Sequence, residues 1–343
     1  MANIYIRNEY FFMETTIEVF TFTIKKKRSR KEPFVNFAED PDLFDILTQG
    51  KPNLIQYIDQ HVTGDIPAEK ATVRIPPNLH KGSKRGRYLY GIIESGHYGK
   101  ELEAVDKDDP KNQEKIIRLG KSKAILKPFF FYIKIPRNGD KGLLILERTG
   151  NDGIFPIFYI ILSSFFTFHL NRIKPEEYKA EYTIEKGNVM LKSYLDKFAS
   201  STYKSLTLTS NKIAADLANR YFGTFETDQF SLELKLKFKN SLGEESSKKI
   251  KELIDSGNVL FTTNDLNDIF EHADKKVVAE IEDEKGKPGK ARTYYLSEEQ
   301  QMSMKPYYTI NVEENDKGFS DFASISSEVK KFINENEEFK LFD

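Results

Sequence analysis

The chain has 343 residues, about two typical domains' worth, and its hydrophobic content of 39% includes 27 Phe and 17 Tyr but no Trp. It has no cysteine, which excludes a disulfide framework, a Cys-ligated zinc site, a thiol nucleophile and a lipid-anchored Cys. The net charge of −1 excludes a global attraction for nucleic acid or anionic membrane, so any contact with a polyanion must come from local clusters.

The first fourteen residues contain Arg7, Glu9 and Glu14 and no apolar stretch of signal-peptide length, so the chain reads as unexported, with a cytoplasmic location as the default. Residues 15–24 alternate with the period of a strand: Phe20, Phe22 and Ile24 on one side, Ile17, Val19 and threonines on the other. A dense basic run follows, containing Lys25, Lys26, Lys27, Arg28, Arg30 and Lys31. Residues 42–48 and 53–61 read as two short helices divided by Gly50 and the Lys51-Pro52 step. Residues 71–75 read as a strand closed by Pro76-Pro77. A second basic cluster, Lys81, Lys84, Arg85 and Arg87, runs into Tyr88 and Tyr90.

Residues 87–93 and 101–105 are predicted to form a hairpin around Ser95-Gly96-His97-Tyr98-Gly99. Residues 127–135 and 143–148 form a second hairpin around Asn138-Gly139-Asp140, a stronger turn signal. Residues 154–170 hold no Asp, Glu, Lys or Arg, but include Ser163, Ser164, Thr167 and His169 and fall short of the ~20 apolar residues of a membrane span. They read as a buried, Phe-rich helix with Pro156 in its first turn, and no membrane association is expected. Strands are expected at 178–184, 205–209, 229–239, 277–281 and 293–296, and helices at 189–198, 212–222, 244–254, 266–273 and from 327 to 332. Residues 284–290 read as an exposed loop.

No solenoid repeat or heptad run is present. The elements together predict an α+β fold, with a mixed, largely antiparallel sheet, a buried Phe-rich helix and peripheral helices. Ser200-Ser201-Thr202 suggests a boundary between a β-rich α+β domain at 1–200, carrying the basic clusters, and a smaller α+β domain at 201–343. The latter ends in an acidic tail, with nine acidic residues against four lysines from Glu313 to Asp343.

Three clusters are candidate nucleic-acid contacts. Lysine and arginine that neutralise phosphates release condensed counterions, so Lys25–Lys31 can meet a backbone, though a solvated loop after a strand has the same composition. The pairing of Lys81, Lys84, Arg85 and Arg87 with two tyrosines suits backbone tracking with base stacking, or equally a charge-guarded sheet edge. In the third, Leu232, Leu234, Leu236 and Phe238 take one face of a strand while Glu233, Lys235, Lys237 and Lys239 take the other.

Glu233-Leu234-Lys235 has the Glu-x-Lys spacing of one class of metal-dependent nucleases, with Asp216 and Asp228 upstream, but no Pro-Asp pair stands at a suitable distance. The five histidines lack zinc-site spacing, and no dinucleotide, P-loop or nucleophile-elbow motif occurs. Arg148-Thr149-Gly150-Asn151-Asp152-Gly153 can present N–H groups to an anion or simply connect strand to helix. No catalytic residue, metal site or cofactor is assigned.

Gly91-Ile92-Ile93-Glu94 with Gly96 and Gly99, Pro128-Phe129-Phe130-Phe131, and Leu143-Leu144-Ile145-Leu146-Glu147-Arg148 together resemble uncharacterised prokaryotic proteins found among phage-defence systems. The resemblance covers the middle third of the chain and implies a defence role with nucleic-acid sensing. The leading expectation is a non-enzymatic component that binds or senses DNA or RNA; the alternatives are a protein-interaction subunit and a metal-dependent nuclease.

Overall fold

One long strand, β1 (Phe12–Lys26), organises the larger part of the chain. Its alternation of β-branched and aromatic residues suits a pleated strand covered on both faces. The computed structural model describes residues 12–27, 35–37, 42–112, 114, 116–149, 152–173, 181–189, 191, 202–210, 232–237, 274–280, 292–296, 302–303 and 307–342. After β1 come the helices α1 (Leu43–Gln49) and α2 (Leu54–Tyr57), the strands β2 (Ala71–Arg74), β3 (His80–Ser83), β4 (Tyr88–His97), β5 (Leu102–Ala104), β6 (Ile117–Leu119), β7 (Lys127–Lys134), β8 (Gly142–Thr149) and β9 (Asp152–Gly153), then helix α3 (Phe155–Ile173) and strand β10 (Tyr182–Asn188). The strands β11 (Thr202–Ser210), β12 (Leu232–Lys237), β13 (Asp274–Glu280), β14 (Arg292–Leu296) and β15 (Met302–Ser303) follow. Strand β16 (Tyr307–Glu313), helix α4 (Phe322–Glu335) and a 3-10 turn at Glu337–Phe342 end the described chain.

The main sheet has nine strands in the order β10-β1-β8-β7-β4-β2, with β16 beside β1, β3 beside β4 and β9 beside β8. All its pairings are antiparallel, in agreement with the expected α+β class. β1 is long enough to hold two partners in tandem along one edge: β16 pairs with its first half, Phe12 to Glu18, and β10 with its second, Phe20 to Lys26. The β7–β8 hairpin forms as predicted, with Gly139 at φ +104° in its turn. The other predicted hairpin does not form. β4 continues through His97 and pairs with β2, β3 and β7, while β5 pairs with β6 as a separate ribbon, so Gly96 is a paired strand residue and Gly99, at φ +97°, follows the strand's end.

Both faces of the central strands are buried. Phe129, Phe131 and Ile133 of β7, Leu144 and Leu146 of β8, and Phe20, Phe22 and Ile24 of β1 point to one layer. That layer is supplied by α3, through Ile157, Phe158, Ile161, Leu162, Phe165 and Phe166, with Phe44, Leu47 and Leu54 from α1 and α2 beside it. The expected Phe-rich helix is therefore buried, and no helix among the described residues is long and apolar enough to cross a membrane. The opposite face carries Ile17, Val19, Tyr90, Phe130, Tyr132 and Ile145, covered by the apolar stripe Ile325, Val329 and Ile333 of α4.

Asp321 caps α4 by accepting from the N–H groups of Ala323 and Ser324. Just before it, Ser320 donates to the buried Glu147 of β8 at 2.6 Å, and Thr15 of β1 bonds the same hydroxyl at 2.9 Å. The other Glu147 oxygen accepts from the Phe130 N–H at 2.8 Å. This network ties three strands and the start of α4 inside the apolar layer.

The chain divides into two compact units, Met1–Val189 with Tyr307–Asp343, and Met190–Pro306. This differs from the expected cut at 200: the last segment returns to the first unit because β16 completes the edge of β1. The segment expected as an acidic tail is therefore strand, helix and 3-10 turn, with Phe339 and Phe342 buried. In the second unit the described strands form a five-stranded antiparallel sheet, β12-β11-β13-β14-β15. Residues 190 and 192–198 of the helix expected at 189–198, the helices expected at 212–222, 244–254 and 266–273, and the loop 284–290 lie outside the described residues.

Phe158 is fully buried, its ring 5.1 Å from Phe131. Phe158→Ala is expected to cost about 3–5 kcal/mol, measured by denaturant unfolding. Burial raises the Glu147 pKa above the ordinary value of 4.5, outweighing the bonds from Ser320 and Phe130 that lower it. The folded state therefore holds the proton more tightly than the unfolded chain, and stability falls as pH rises from 4.5 through the folded value. Glu147→Gln is expected to remove this fall, so its melting temperature should decline less than the parent's as pH rises above 4.5.

Candidate nucleic-acid interface

The register of the main sheet decides which cations meet. Tyr88 lies opposite Lys134, Lys134 opposite Leu143, and Gly142 opposite Phe22, so the 84–87 turn, the 135–141 turn and the far end of β1 share one end of the sheet. β4 and β1 are three strand spacings apart in that order, roughly 14 Å. Lys25 and Lys26, at the end of β1, and Lys27 just beyond it therefore stand at the same end as Lys84, Arg85 and Arg137. Arg28, Arg30 and Lys31 lie outside the described residues.

Lys25 pairs with Glu185, and Lys27 with Glu181 at 2.7 Å. Both pairs are partly or largely exposed, so they are worth little and exchange readily for another anion.

Arg87 differs from its neighbours in the sequence. Its backbone is left-handed, φ +49°, and its guanidinium makes a bidentate pair with Asp42, both N···O distances 2.8 Å. Its Nε donates to the Ile135 carbonyl at 2.9 Å, and the group lies over the Phe44 ring. This residue fixes the turn that presents Lys84 and Arg85. Asp42 is also the N-cap of α1, accepting from the Phe44 N–H at 2.7 Å. Burial alone would raise its pKa, but the hydrogen bonds from Arg87 and Phe44, with the Arg87 charge, hold it below 3.8.

Two clefts open beside this turn and meet at Lys330 and Asn334 of α4. The larger, about 680 Å³, includes Lys81, Tyr90, Lys330, Lys331 and one carboxylate, Glu335, in its lining. The smaller, about 440 Å³, is lined among the described residues by Arg85, Gly86, Arg87, Tyr88, Tyr132, Lys134, Arg137, Lys330, Ile333, Asn334 and Phe342. Lys330 donates to the Tyr90 hydroxyl at 3.1 Å, its ammonium 4.4 Å from the Tyr90 ring centre. Tyr88 and Tyr132 stack at 5.4 Å, and a Cβ at Gly86 would overlap the Tyr88 ring, which is why the turn carries glycine there.

The expectation of base stacking is changed by this packing. Tyr90 and Tyr132 are 4% and 3% exposed, their rings held against each other, Phe130 and Phe322. They form a floor for cations rather than faces for bases. The exposed groups are Lys81, Lys84, Arg85, Arg137 and Lys331; Lys84 reaches Asp45 at 3.8 Å and Lys331 reaches Glu328 at 3.6 Å. Sequence reasoning misses Lys134, Arg137, Lys330 and Lys331. Arg137 stands within a recognisable turn, and the lysines of α4 are more than two hundred residues from the turn they face.

In the second unit Glu233, Lys235 and Lys237 are exposed on one face of β12, an outer strand of its sheet, as the alternation predicts. Lys239, Asp216 and Asp228 lie outside the described residues. No group of three or more His, Asp or Glu side chains suited to a metal occurs among the described residues. His97 bonds the Glu69 carbonyl at 3.2 Å, and buried His169 of α3 bonds the Pro52 carbonyl of the α1–α2 connection at 2.8 Å. Of the 148–153 segment, Arg148 and Thr149 of β8 lie opposite Gly153 and Asp152 of β9, and Arg148 pairs with Glu18 and Asp152 with Lys127; residues 150 and 151 lie outside the described residues.

Asp42→Ala removes a cap and the partner of a half-buried guanidinium, with an expected cost of about 2–3 kcal/mol. Because the folded pKa of Asp42 is depressed, its contribution is complete above 3.8 and disappears as pH falls through the folded value. The gap in melting temperature between parent and variant should therefore narrow below about pH 4. Comparison of the chain with protein-family models, curated proteins and solved structures gives no match.

Proposed function

We propose that the protein binds nucleic acid through the cationic end of its main sheet, contacting phosphates rather than reading bases. The observation that carries this reading is the convergence of Lys81, Lys84, Arg85, Arg137, Lys330 and Lys331 from three separate segments onto two adjoining clefts and the turn beside them. In a chain of net charge −1, such a concentration of one sign focuses the field locally. The packed tyrosines leave the cations as the accessible groups, which favours sequence-independent backbone contact. Lys25, Lys26 and Lys27 stand at the same end of the sheet. Lys235 and Lys237 belong to the other unit, where Glu233 shares their face and offsets part of their charge. The resemblance to phage-defence proteins supplies the setting: recognition of foreign DNA or RNA without cleavage, in a cytoplasmic location.

The test is binding of duplex DNA, single-stranded DNA and RNA across a salt series, for the parent and for Arg85→Ala/Arg137→Ala/Lys331→Ala. Removing one phosphate-neutralising cation should reduce the slope of log K against log salt by about 0.9 on duplex or 0.7 on single strands, so the slope of the triple variant should fall by about 2–3. A Lys235→Ala/Lys237→Ala variant should change the slope less. Absence of binding at low salt to all three polymers would overturn the reading and favour a protein partner; an unchanged slope in the triple variant would displace the surface.

A further inference from the structure

The β5–β6 ribbon forms a two-stranded sheet of its own, apart from the main sheet. The Gly99 N–H donates to the Lys121 carbonyl at 2.8 Å, closing the base of the ribbon just beyond the His97 end of β4. The register sets Leu102 opposite Leu119 and Ala104 opposite Ile117, so these four apolar side chains share one face. Glu103 and Arg118, paired at 3.0 Å, share the other. Of the six large apolar side chains that stand exposed among the described residues, four belong to the ribbon or its flanks: Leu102, Val105, Ile117 and Ile125. Ile117 is 64% exposed. A two-stranded ribbon is marginal in water by itself, and an apolar face on one is a surface to be covered.

The charge pattern selects the occupant. From Glu101 to Asp109 the chain has five acids and one lysine; from Lys111 to Lys123 it has five bases and one glutamate. The ribbon therefore sets an acidic strand beside a basic one. A fitting partner presents an apolar face flanked by the reverse order of charge, and a second copy does so when turned about an axis parallel to the strands, which lays β5 of each copy over β6 of the other. An axis across the strands would set acid over acid, which disfavours it. We infer that this face is a self-complementary interface between two copies of the chain, with Leu102 and Ile117 at its centre. Contact through so short a ribbon falls below the roughly 1,200 Å² of a stable complex, so the dimer is weak and forms as concentration rises. β4 has ten residues, which separates the ribbon from the Tyr88 end of that strand by roughly 30 Å. The interface and the cationic turn thus stand at opposite ends of β4, and the inference does not depend on the nucleic-acid reading.

The test is sedimentation equilibrium of the full chain without nucleic acid, from about 1 to 200 µM, spanning the range of a weak dimer. A monomer–dimer equilibrium is expected, weaker at about 500 mM than at about 50 mM salt because exposed charges orient it. Ile117→Glu should raise the dissociation constant about tenfold or more, by placing a charge in the covered face. Its melting temperature in dilute solution should match the parent's, since the side chain is exposed in the single chain. Two variants at exposed positions test the pairing of strands: Lys121→Glu/Lys123→Glu makes both strands acidic, and Glu101→Lys/Asp108→Lys makes the acidic one more basic. Each should self-associate less than the parent, and an equimolar mixture should associate more than either alone. A monomer at every concentration overturns the inference, as does association that Ile117→Glu leaves unchanged. A mixture no stronger than its components overturns the β5-over-β6 arrangement. A lowered melting temperature in Ile117→Glu without any association shows cover within one chain and overturns the dimer. The nucleic-acid reading stands or falls separately, on the salt series above.

Discussion

The central strands β7 and β8 are apolar on both faces, and most of the larger unit follows from that constraint. From Phe129 to Ile135, and from Leu143 to Leu146, every side chain is withdrawn from solvent, including Lys134. Antiparallel sheets commonly leave one face wet; this one cannot, so it needs a layer on each side. The α3 layer is adjacent in sequence to β8 and forms directly after it. The second layer is α4, which comes more than a hundred residues later, after the whole of the second unit. The requirement to cover Ile17, Val19, Phe130, Tyr132 and Ile145 therefore draws the end of the chain back onto the sheet.

Function in the proposed form depends on that return. α4 approaches with Ile325, Val329 and Ile333 inward, which places Lys330 and Lys331 over the edge of the covered face, beside the β3–β4 turn. The helix comes from a segment with nine acidic residues, yet two of its four lysines stand at the cleft. Net charge summed along the sequence misses this, because burial of one helical stripe selects which charges reach a particular surface. Asp321, one of the acids, is engaged in capping the helix.

Polar groups inside and at the margin of the core set the positions of these layers. Glu147, Ser320 and Thr15 join β8, β1 and the start of α4, and an unsatisfied member of such a network would be costly. Arg87 and Asp42 do the same at the cationic end, where the bidentate pair and the N-cap share one carboxylate. Arg87 looks in the sequence like one more member of a basic patch, but its bonds make it the brace of the turn that displays Arg85.

The α+β class, the strand at β1, the β7–β8 hairpin and the buried Phe-rich helix are all legible in the sequence, because each is specified by local periodicity, turn residues or the absence of charge over a window. The exposed alternation of Glu233, Lys235 and Lys237 is legible for the same reason. The alternation of Tyr308, Ile310 and Val312 in β16 is an equal signal of a strand, but nothing local says that this strand belongs to β1, so a single cut at 200 misses the return of the chain. Tertiary structure alone decided that β4 pairs with β7 rather than β5, that Tyr90 and Tyr132 are packed rather than presented, and that Lys134, Arg137 and Lys330 share a cleft with Arg85. Strand partners and charge clusters are set by which apolar faces must be covered, and that is a property of the whole chain rather than of any window within it.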